Sequence, residues 1–297
     1  VQLDLQEAFS RFFEDPKKGF PNFKSKKKVK KSYTTNNQDR TVALLKDGIK
    51  LPKLGVVNAK IHRSPKDNWK LKSATVSQSA SGKYYCSLLF EYIEELPANI
   101  DPAHDKTVGL DYSSPLFYVD DKGNSPEKER YFRVSEGKLA REQRKLSKMV
   151  HGSNNYWKQK HKVDIIHEHI ANQRKDFCHK ESRRIANSYD AVCVEDLNLR
   201  AMSQTLKLGK STLDNGFGMF RAFLAYKLEE QGKHLIVIDK WFPSSKTCNN
   251  CGYVNKELKL NDRIWVCPCC GDIVMRDANA GKNIKERGLD LYYGVVA

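Results

Sequence analysis

Nowhere in these 297 residues is there a run of about 18 consecutive apolar residues, the least that a bilayer-crossing helix requires. That excludes a membrane-spanning helix, and no membrane partner is expected. A secretory leader is also missing, because the chain starts VQLDLQEAF, which is polar and periodic. The first residue is Val rather than Met, so an N-terminal piece is expected to be absent. No internal repeat is visible. Acids are scarce beside bases: 36 Asp and Glu against 52 Lys and Arg leave a formal charge of +16. Such a one-signed excess is the electrostatic footprint of a nucleic-acid partner. Apolar residues are not lacking. At 39% hydrophobic and 10% aromatic the chain can build packed cores, which excludes disorder throughout. The length suits roughly two or three domains.

Cysteine usage excludes a disulfide-stapled secreted scaffold. Cys86, Cys178 and Cys193 are scattered, while the remaining five of eight crowd into residues 248–270. There Cys248-x2-Cys251 and Cys267-x2-Cys270 are separated by fifteen residues. Each pair forms a knuckle that aims two thiolates at one ion, and four thiolates complete a tetrahedron around Zn. Gly252 and Gly271 follow the knuckles, where a permissive backbone is needed. Cys269 is the odd member and is expected to point away; exchanging it for Cys270 would give a CxC spacing. A closed four-Cys site has no open position, so the Zn is expected to be structural.

Along the chain, residues 1–14 read as the end of a helix, stopped by Pro16 and Gly19. KSKKKVKK (24–31) follows with six lysines, either a solvated connection or a phosphate-contacting segment. Residues 32–97 read as β-rich and barrel-like, with hairpins at Asp47-Gly48 and Ser81-Gly82. Tyr84, Tyr85 and Trp69 there are candidates for stacking on bases or for the core. A boundary falls at 98–106. Next come three strands expected as a meander, TVGLDYS, PLFYVDDKGN and KERYFRV. They are followed by a basic helix at 136–150 and a long helix near 155–188. The long helix buries Val163, Ile166, Ile170 and Phe177 and exposes a basic face including Lys158, Lys160, Lys162, Arg174, Lys175, Arg183 and Arg184. His161, His167 and His169 read as surface residues. AVCVEDL (191–197) and HLIVID (234–239) read as buried strands. Helices are expected near 212–231, with Leu213 on its stripe, and near 277–287.

Asp111 ends a buried strand, Glu195 ends another, and Asp277 opens a helix just after the second knuckle. Singly, each is an ordinary acid, and Asp is a common helix cap. The order of elements between them is that of an RNase H-like fold, in which such carboxylates converge at one end of the sheet. Hard oxygen ligands suit Mg²⁺, and two such ions can activate a water and stabilise the leaving oxygen of a phosphodiester. Asp196 is expected on the opposite face from Glu195.

GLDYSS (109–114), NQRKDFCHK (172–180), VEDLN (194–198), SSKTCNNCG (244–252), WVCPCCG (265–271) and RDANAGKNI (276–284) resemble, in order, the motifs of the TnpB (OrfB) proteins of insertion sequences. These are RNA-guided nucleases related to type V CRISPR effectors. The resemblance runs from about Phe20 to Gly288. It implies an α/β and β architecture: an RNase H-like (RuvC) nuclease domain with an inserted zinc ribbon, preceded by a β-barrel-like wedge domain. The implied bounds are 1–19 for the end of a helical recognition domain, 20–104 for the wedge, 105–240 and 275–297 for the nuclease domain and 241–274 for the ribbon. It implies Asp111, Glu195 and Asp277 as catalytic and Mg-binding, and Cys248, Cys251, Cys267 and Cys270 as Zn ligands. It further implies a guide RNA derived from the transposon end, double-stranded target DNA, and a cytoplasmic, nucleoid-associated location in a prokaryote. Met275 departs from the pattern, which often has an acid there, and Cys269 is extra.

Candidate nucleic-acid contacts are Lys24, Lys26, Lys27, Lys28, Lys30, Lys31, Arg174, Lys175, Lys246 and Arg276. Lys246 contacts a phosphate or only shapes its turn, and Arg276 meets the scissile backbone or makes a structural ion pair. The leading reading is an RNA-guided DNA endonuclease. The alternatives are an RNA-guided binder or repressor without cleavage, a guide-free structure-specific nuclease, and a zinc-ribbon DNA-binding regulator. The intact set of three carboxylates favours the first over the second, and the basic helices with placed acids argue against the regulator. Co-purifying RNA would separate the guided reading from the guide-free ones. Oligomeric state is not legible.

Overall fold

The computed structural model describes residues 2–22, 31–95, 97–198, 214–259 and 261–295. They form two compact units, divided between Ile93 and Glu94.

The first unit opens with helix α1 (Gln2–Glu14), ended as expected by the Pro16 turn and Gly19. Its β portion is two antiparallel three-stranded sheets. One has the order β1 (Ser32–Asn36), β5 (Lys70–Gln78), β6 (Tyr84–Glu91); the other has β2 (Ala43–Leu45), β3 (Gly48–Leu51), β4 (Gly55–Asn58). Both expected hairpins form, with Leu45 opposite Gly48 and Gln78 opposite Tyr84. The two sheets share a core of Val42, Ile49, Leu51 and Ala74.

The second unit is built on a four-stranded sheet of order β10-β9-β7-β8. Here β7 is Thr107–Ser113, β8 Phe117–Asp120, β9 Ala191–Glu195 and β10 His234–Ile238. β10, β9 and β7 run parallel, and β8 is antiparallel to β7. Residues ahead of β7 are tied to this unit, since Ile100 donates to Gly232 and accepts from His234. The helices are α2 (Tyr131–Ser147), α3 (Asn154–Ser188), α4 (Phe217–Glu229) and α5 (Arg276–Tyr292). Leu213 lies outside the described residues.

Strand alternation divides the sheet's two faces. Val108 and Leu110 of β7 and Val192 and Val194 of β9 pack with Phe220, Leu224 and Leu228 of α4 and Ile185 of α3. Gly109 and Cys193, one residue out of phase, face α5. A Cβ on Gly109 would lie 1.9 Å from the Gly281 carbonyl oxygen, and one on Gly288 would lie 2.3 Å from Cys193 Sγ. The absence of side chains at these glycines lets α5 lie directly on β7 and β9.

One expected strand is absent: KERYFRV is not extended, and α2 begins inside it at Tyr131. The Phe132 amide donates to Asp214 Oδ1 at 3.1 Å, so a carboxylate distant in sequence caps this helix start. The expected meander of three strands is therefore a hairpin followed by a helix. The long helix buries Val163, Ile166 and Ile170 as expected, while Phe177 is only half-buried, and His161, His167 and His169 are exposed. Its basic face is less available than its composition suggests. Lys160 pairs with Asp164 at 2.7 Å, Arg183 with Glu230 at 3.4 Å and Arg184 with Glu181 at 2.7 Å.

Candidate active site and metal centre

The parity that turns Gly109 and Cys193 toward α5 also turns Asp111 and Glu195 to that face. Leu110 and Val194 are the last pair of the parallel ladder, so the next residues, Asp111 and Glu195, lie side by side just beyond it. Glu195 ends β9 as expected, but Asp111 does not end β7, which continues to Ser113 by pairing with β8. Asp277 sits in the first turn of α5, the helix covering this face. There the backbone N–H groups and helix dipole favour a carboxylate.

Asp111 feels both of the other acids. Burial first, then the charges of Glu195 and Asp277, push the Asp111 carboxyl up to about 8, while Arg276 and Arg263 pull it down. Burial also raises Glu195, opposed by a hydrogen bond from Ser244. That hydroxyl donates to Glu195 Oε1 at 2.5 Å. Buried carboxylates set beside a further acid are a site of unbalanced negative charge, the condition that a bound cation relieves. Asp196 lies past the strand end and pairs with Arg221 of α4 at 3.3 Å, on the other side of the sheet.

Two participants were not anticipated from the sequence. Arg263 donates from Nη1 to both oxygens of Asp277, at 3.2 and 3.0 Å. Ser244 orients Glu195. The hairpin of β11 (Ile264–Val266) and β12 (Ile273–Met275) explains the first. Ile264 pairs with Met275 and the Arg276 amide donates to the Arg263 carbonyl, so Arg263 is carried to the start of α5. A hairpin register drawn across the second CxxC pair, which sits in the turn, would have shown this neighbour.

The same hairpin closes the cysteine cluster. Cys248, Cys251, Cys267 and Cys270 present sulfurs all within 4.8 Å of one another, whereas Cys269 is exposed and outside the group. Cys248 Sγ lies 3.8 Å from Cys270 Sγ, and Cys251 Sγ lies 3.5 Å from Cys267 Sγ. A tetrahedron of thiolates with metal–sulfur bonds of about 2.3 Å has edges of about 3.8 Å, so this arrangement can hold a metal ion. Each knuckle closes identically: the Gly252 amide donates to the Cys248 carbonyl at 2.9 Å, and Gly271 to Cys267 at 2.8 Å. Gly252 and Gly271 have φ of 75° and 76°, the left-handed region that favours glycine. Trp265, Val274 and Leu258 pack with Cys248 and Cys267 beneath the cluster.

Two asparagines of α5, one helical turn apart, fasten this centre to the sheet domain. Asn283 Nδ2 donates to the carbonyls of Ser244 and Thr247 at 2.8 and 2.7 Å, and its Oδ1 accepts from Asn249 at 3.1 Å. Asn279 donates to Thr247 O and accepts from the Asn249 amide. The segment that carries Ser244 to Glu195 is thus held by the helix that carries Asp277.

The expected nucleic-acid contacts divide. Lys24, Lys26, Lys27, Lys28 and Lys30 lie outside the described residues, and Lys31 is exposed. Lys175 is exposed on α3. Arg174 is committed to Asp214, donating to its carbonyl at 3.0 Å, and is four-fifths buried. The position is a structural one, because Asp214 also caps α2. Lys246 is exposed and its ammonium lies 3.4 Å from the Lys256 carbonyl. Arg276 is half-buried beside the carboxylates.

Comparison with known proteins places this arrangement. Residues 93–206 match the OrfB_IS605 family, described as "Probable transposase", and residues 217–284 match the "Cas12f1-like, TNB domain". A Streptomyces pristinaespiralis protein named for an inferred RNA-guided DNA endonuclease activity is 34% identical over 96% of this chain and 69% of its own length. The Escherichia coli protein InsQ, named likewise, is 31% identical over 96% of this chain and 72% of its own length. The fold is similar to that of Cas12f1 in a cryo-EM complex with sgRNA and target DNA. The TM-score is 0.56 at 17% identity, over 93% of this chain and 67% of that one.

Proposed function

Because this chain belongs to the TnpB (OrfB) family of insertion-sequence proteins, we propose that it is an RNA-guided DNA endonuclease acting through Asp111, Glu195 and Asp277. The observation that carries the reading is the convergence of these three carboxylates at one end of the parallel strands. The order β8-β7-β9-β10, with only β8 antiparallel, supports an RNase H-like domain over 105–240 and 275–297. On this reading 241–274 is a zinc ribbon set into that domain, 20–104 a wedge domain, and 1–19 the end of a recognition domain.

The residues fit the ions. Four clustered sulfurs suit a structural Zn, and the three carboxylates offer the hard oxygens that Mg²⁺ prefers. A pair of Mg²⁺ ions bound there would supply an acidified water and charge stabilisation for a departing oxygen. The chain's own residues prepare that site. Asp111 and Glu195 are fixed by the strands, and the Ser244 hydroxyl fixes which Glu195 oxygen faces the ribbon. Asp277 is steadied by the α5 N-terminus and by Arg263.

The partners on this reading are a guide RNA from the transposon end and double-stranded DNA matched to it. Guide pairing reads the sequence and protein reads shape. The exposed Lys31, Lys175 and Lys246, with the lysines of 24–30 and Arg276, supply phosphate contacts. The compartment is a prokaryotic cytoplasm at the nucleoid. The test is to sequence RNA that co-purifies with the chain, then supply a plasmid bearing the matching target, with Mg²⁺ and with chelator. Cleavage that requires both RNA and Mg²⁺ is expected. Cleavage without RNA would move the reading to a guide-free nuclease, and RNA-dependent binding without cleavage would move it to a guided binder.

A further inference from the structure

β10 ends at Ile238, in register with Glu195. The chain then turns and reaches Ser244, whose hydroxyl donates to Glu195. Two consecutive aromatics lie in this turn and are used differently. Phe242 packs on the cluster of Cys193, Ile238 and Ile284. Trp241 is 80% exposed, the most exposed aromatic side chain among the described residues. Tryptophan is on average a heavily buried residue, so core packing does not account for this one. The backbone that presents it is fixed. Its amide donates to Asp239 Oδ1 at 2.6 Å, and the Phe242 amide donates to the Asp239 carbonyl at 3.2 Å. Further on, Asn283 holds the Ser244 and Thr247 carbonyls. The Lys240 ammonium stands 5.1 Å from the centre of the Trp241 ring. Lys240 and Lys246 are both exposed, and among the described residues neither has an ion-pair partner. Trp241 is three residues from Ile238 and three from Ser244, each a span of at most about 11 Å by chain length. The indole is therefore within a few nucleotides' reach of the carboxylates.

We propose that the Trp241 indole stacks on one unpaired base of the DNA strand being cut, with Lys240 and Lys246 on the neighbouring phosphates. An open aromatic face beside cations without acidic partners is the combination that holds a single strand whatever its sequence. A duplex offers no such face, because taking a base out of its stack costs energy, so the platform selects a strand already separated from its complement. A protein partner fits less well, since one indole between two lysines offers little of the area that a stable protein interface buries. DNA is favoured over RNA by position. The segment that presents Trp241 also carries Ser244 to Glu195, and the strand lying at those carboxylates is the one hydrolysed. The inference rests on the nuclease reading above and adds to it the form of substrate that the site takes.

The test uses the full chain with its co-purified RNA in place and with chelator present to prevent cleavage. A short single-stranded DNA carrying 5-iodouracil is cross-linked by ultraviolet light, and mass spectrometry should place adducts on the peptide containing Trp241. Trp241→Ala should weaken single-stranded DNA binding about tenfold, within the range of one stacked base, and Trp241→Phe should restore part of it. Binding of a duplex of the same sequence should not change. Lys240→Gln should lower the slope of log K against log salt by about 0.7, the share of one phosphate on a single strand. Both positions are exposed, so zinc content and thermal midpoint should match the parent in every variant. Single-strand affinity unchanged in Trp241→Ala, with adducts elsewhere, would overturn the platform, and guided cleavage by the parent would leave the nuclease reading standing. Equal losses on duplex and single strand would overturn the selection for an unpaired base. Adducts at Trp241 with RNA of the same sequence and not with DNA would overturn the assignment to DNA. A parent chain that shows no guided cleavage would overturn the nuclease reading, and the adduct position would then decide the platform by itself.

Discussion

Arg263 holds both carboxylate oxygens of Asp277, at 3.2 and 3.0 Å, from the opposite side of the β11–β12 hairpin. A cation is therefore already in place at an acid expected to ligate a metal. Arg263 is 59% exposed, so the pair belongs with surface ion pairs worth up to about 1 kcal/mol. Replacing Arg263 by Gln should raise the affinity of the nucleic-acid-free chain for Mn²⁺ about two- to fivefold, read by electron paramagnetic resonance titration. An affinity that stays the same or falls would show that Arg263 does not compete for Asp277.

Asn283 makes three hydrogen bonds from a buried position on α5. Asn283→Leu would leave the Ser244 and Thr247 carbonyls without this donor, each loss costing about 1–3 kcal/mol. Proteolysis near residues 244–250 should accelerate while bound zinc stays close to one per chain, because the cysteine cluster has its own packing. Loss of zinc in step with proteolysis would mean that the cluster depends on α5 to form.

Cys270→Ser should abolish zinc content and loosen the ribbon locally, since the metal's binding energy is folding energy. Cys269→Ser should leave elemental zinc unchanged, because its sulfur stands outside the cluster. Zinc loss from the Cys269 variant would reverse the ligand assignment.

These features differ in how far the sequence reveals them. The cysteine spacing encodes a local geometry, and Gly252 and Gly271 mark the same turns, so the cluster was legible. For Asp111 and Glu195 the order of elements, not a local pattern, suggested a shared end of the sheet, and the strand period of two served only to separate Asp196 from Glu195. KERYFRV misled because Tyr, Phe and Val favour strands, while the cap that makes it helical comes from Asp214, far along the chain. Ser244 and Arg263 were hidden for a related reason. Each reaches its acid through a tertiary or hairpin contact, and no local pattern distinguishes them from other turn residues. For Arg174 charge alone suggested a phosphate contact, and burial against Asp214 decides otherwise.

The Asp111 carboxyl is pushed from 3.8 in its ordinary state up to about 8 in the fold. The folded state therefore prefers the neutral acid. Stability from this group is present below about pH 4 and is lost as pH rises toward 8. Asp111→Asn should raise the thermal midpoint of the chelator-treated chain by several degrees at pH 8 and by little near pH 4. Divalent metal should narrow the gap by stabilising only the parent. Equal midpoints at pH 8 would show that the acids are not coupled as described.

The central claim is that Asp111, Glu195 and Asp277 act as one unit in guided cleavage. The most direct measurement is Mg²⁺-dependent cleavage of a guide-matched plasmid by Asp111→Ala, Glu195→Ala, Asp277→Ala and Asp196→Ala, with bound RNA quantified for each. The first three should each abolish cleavage, without additive loss in combination, and retain RNA. Asp196→Ala should cut like the parent, because its side chain pairs with Arg221 on the other side of the sheet. Cleavage by Asp277→Ala at the parent's rate, with loss in Asp196→Ala, would contradict both the site and the strand facing that builds it.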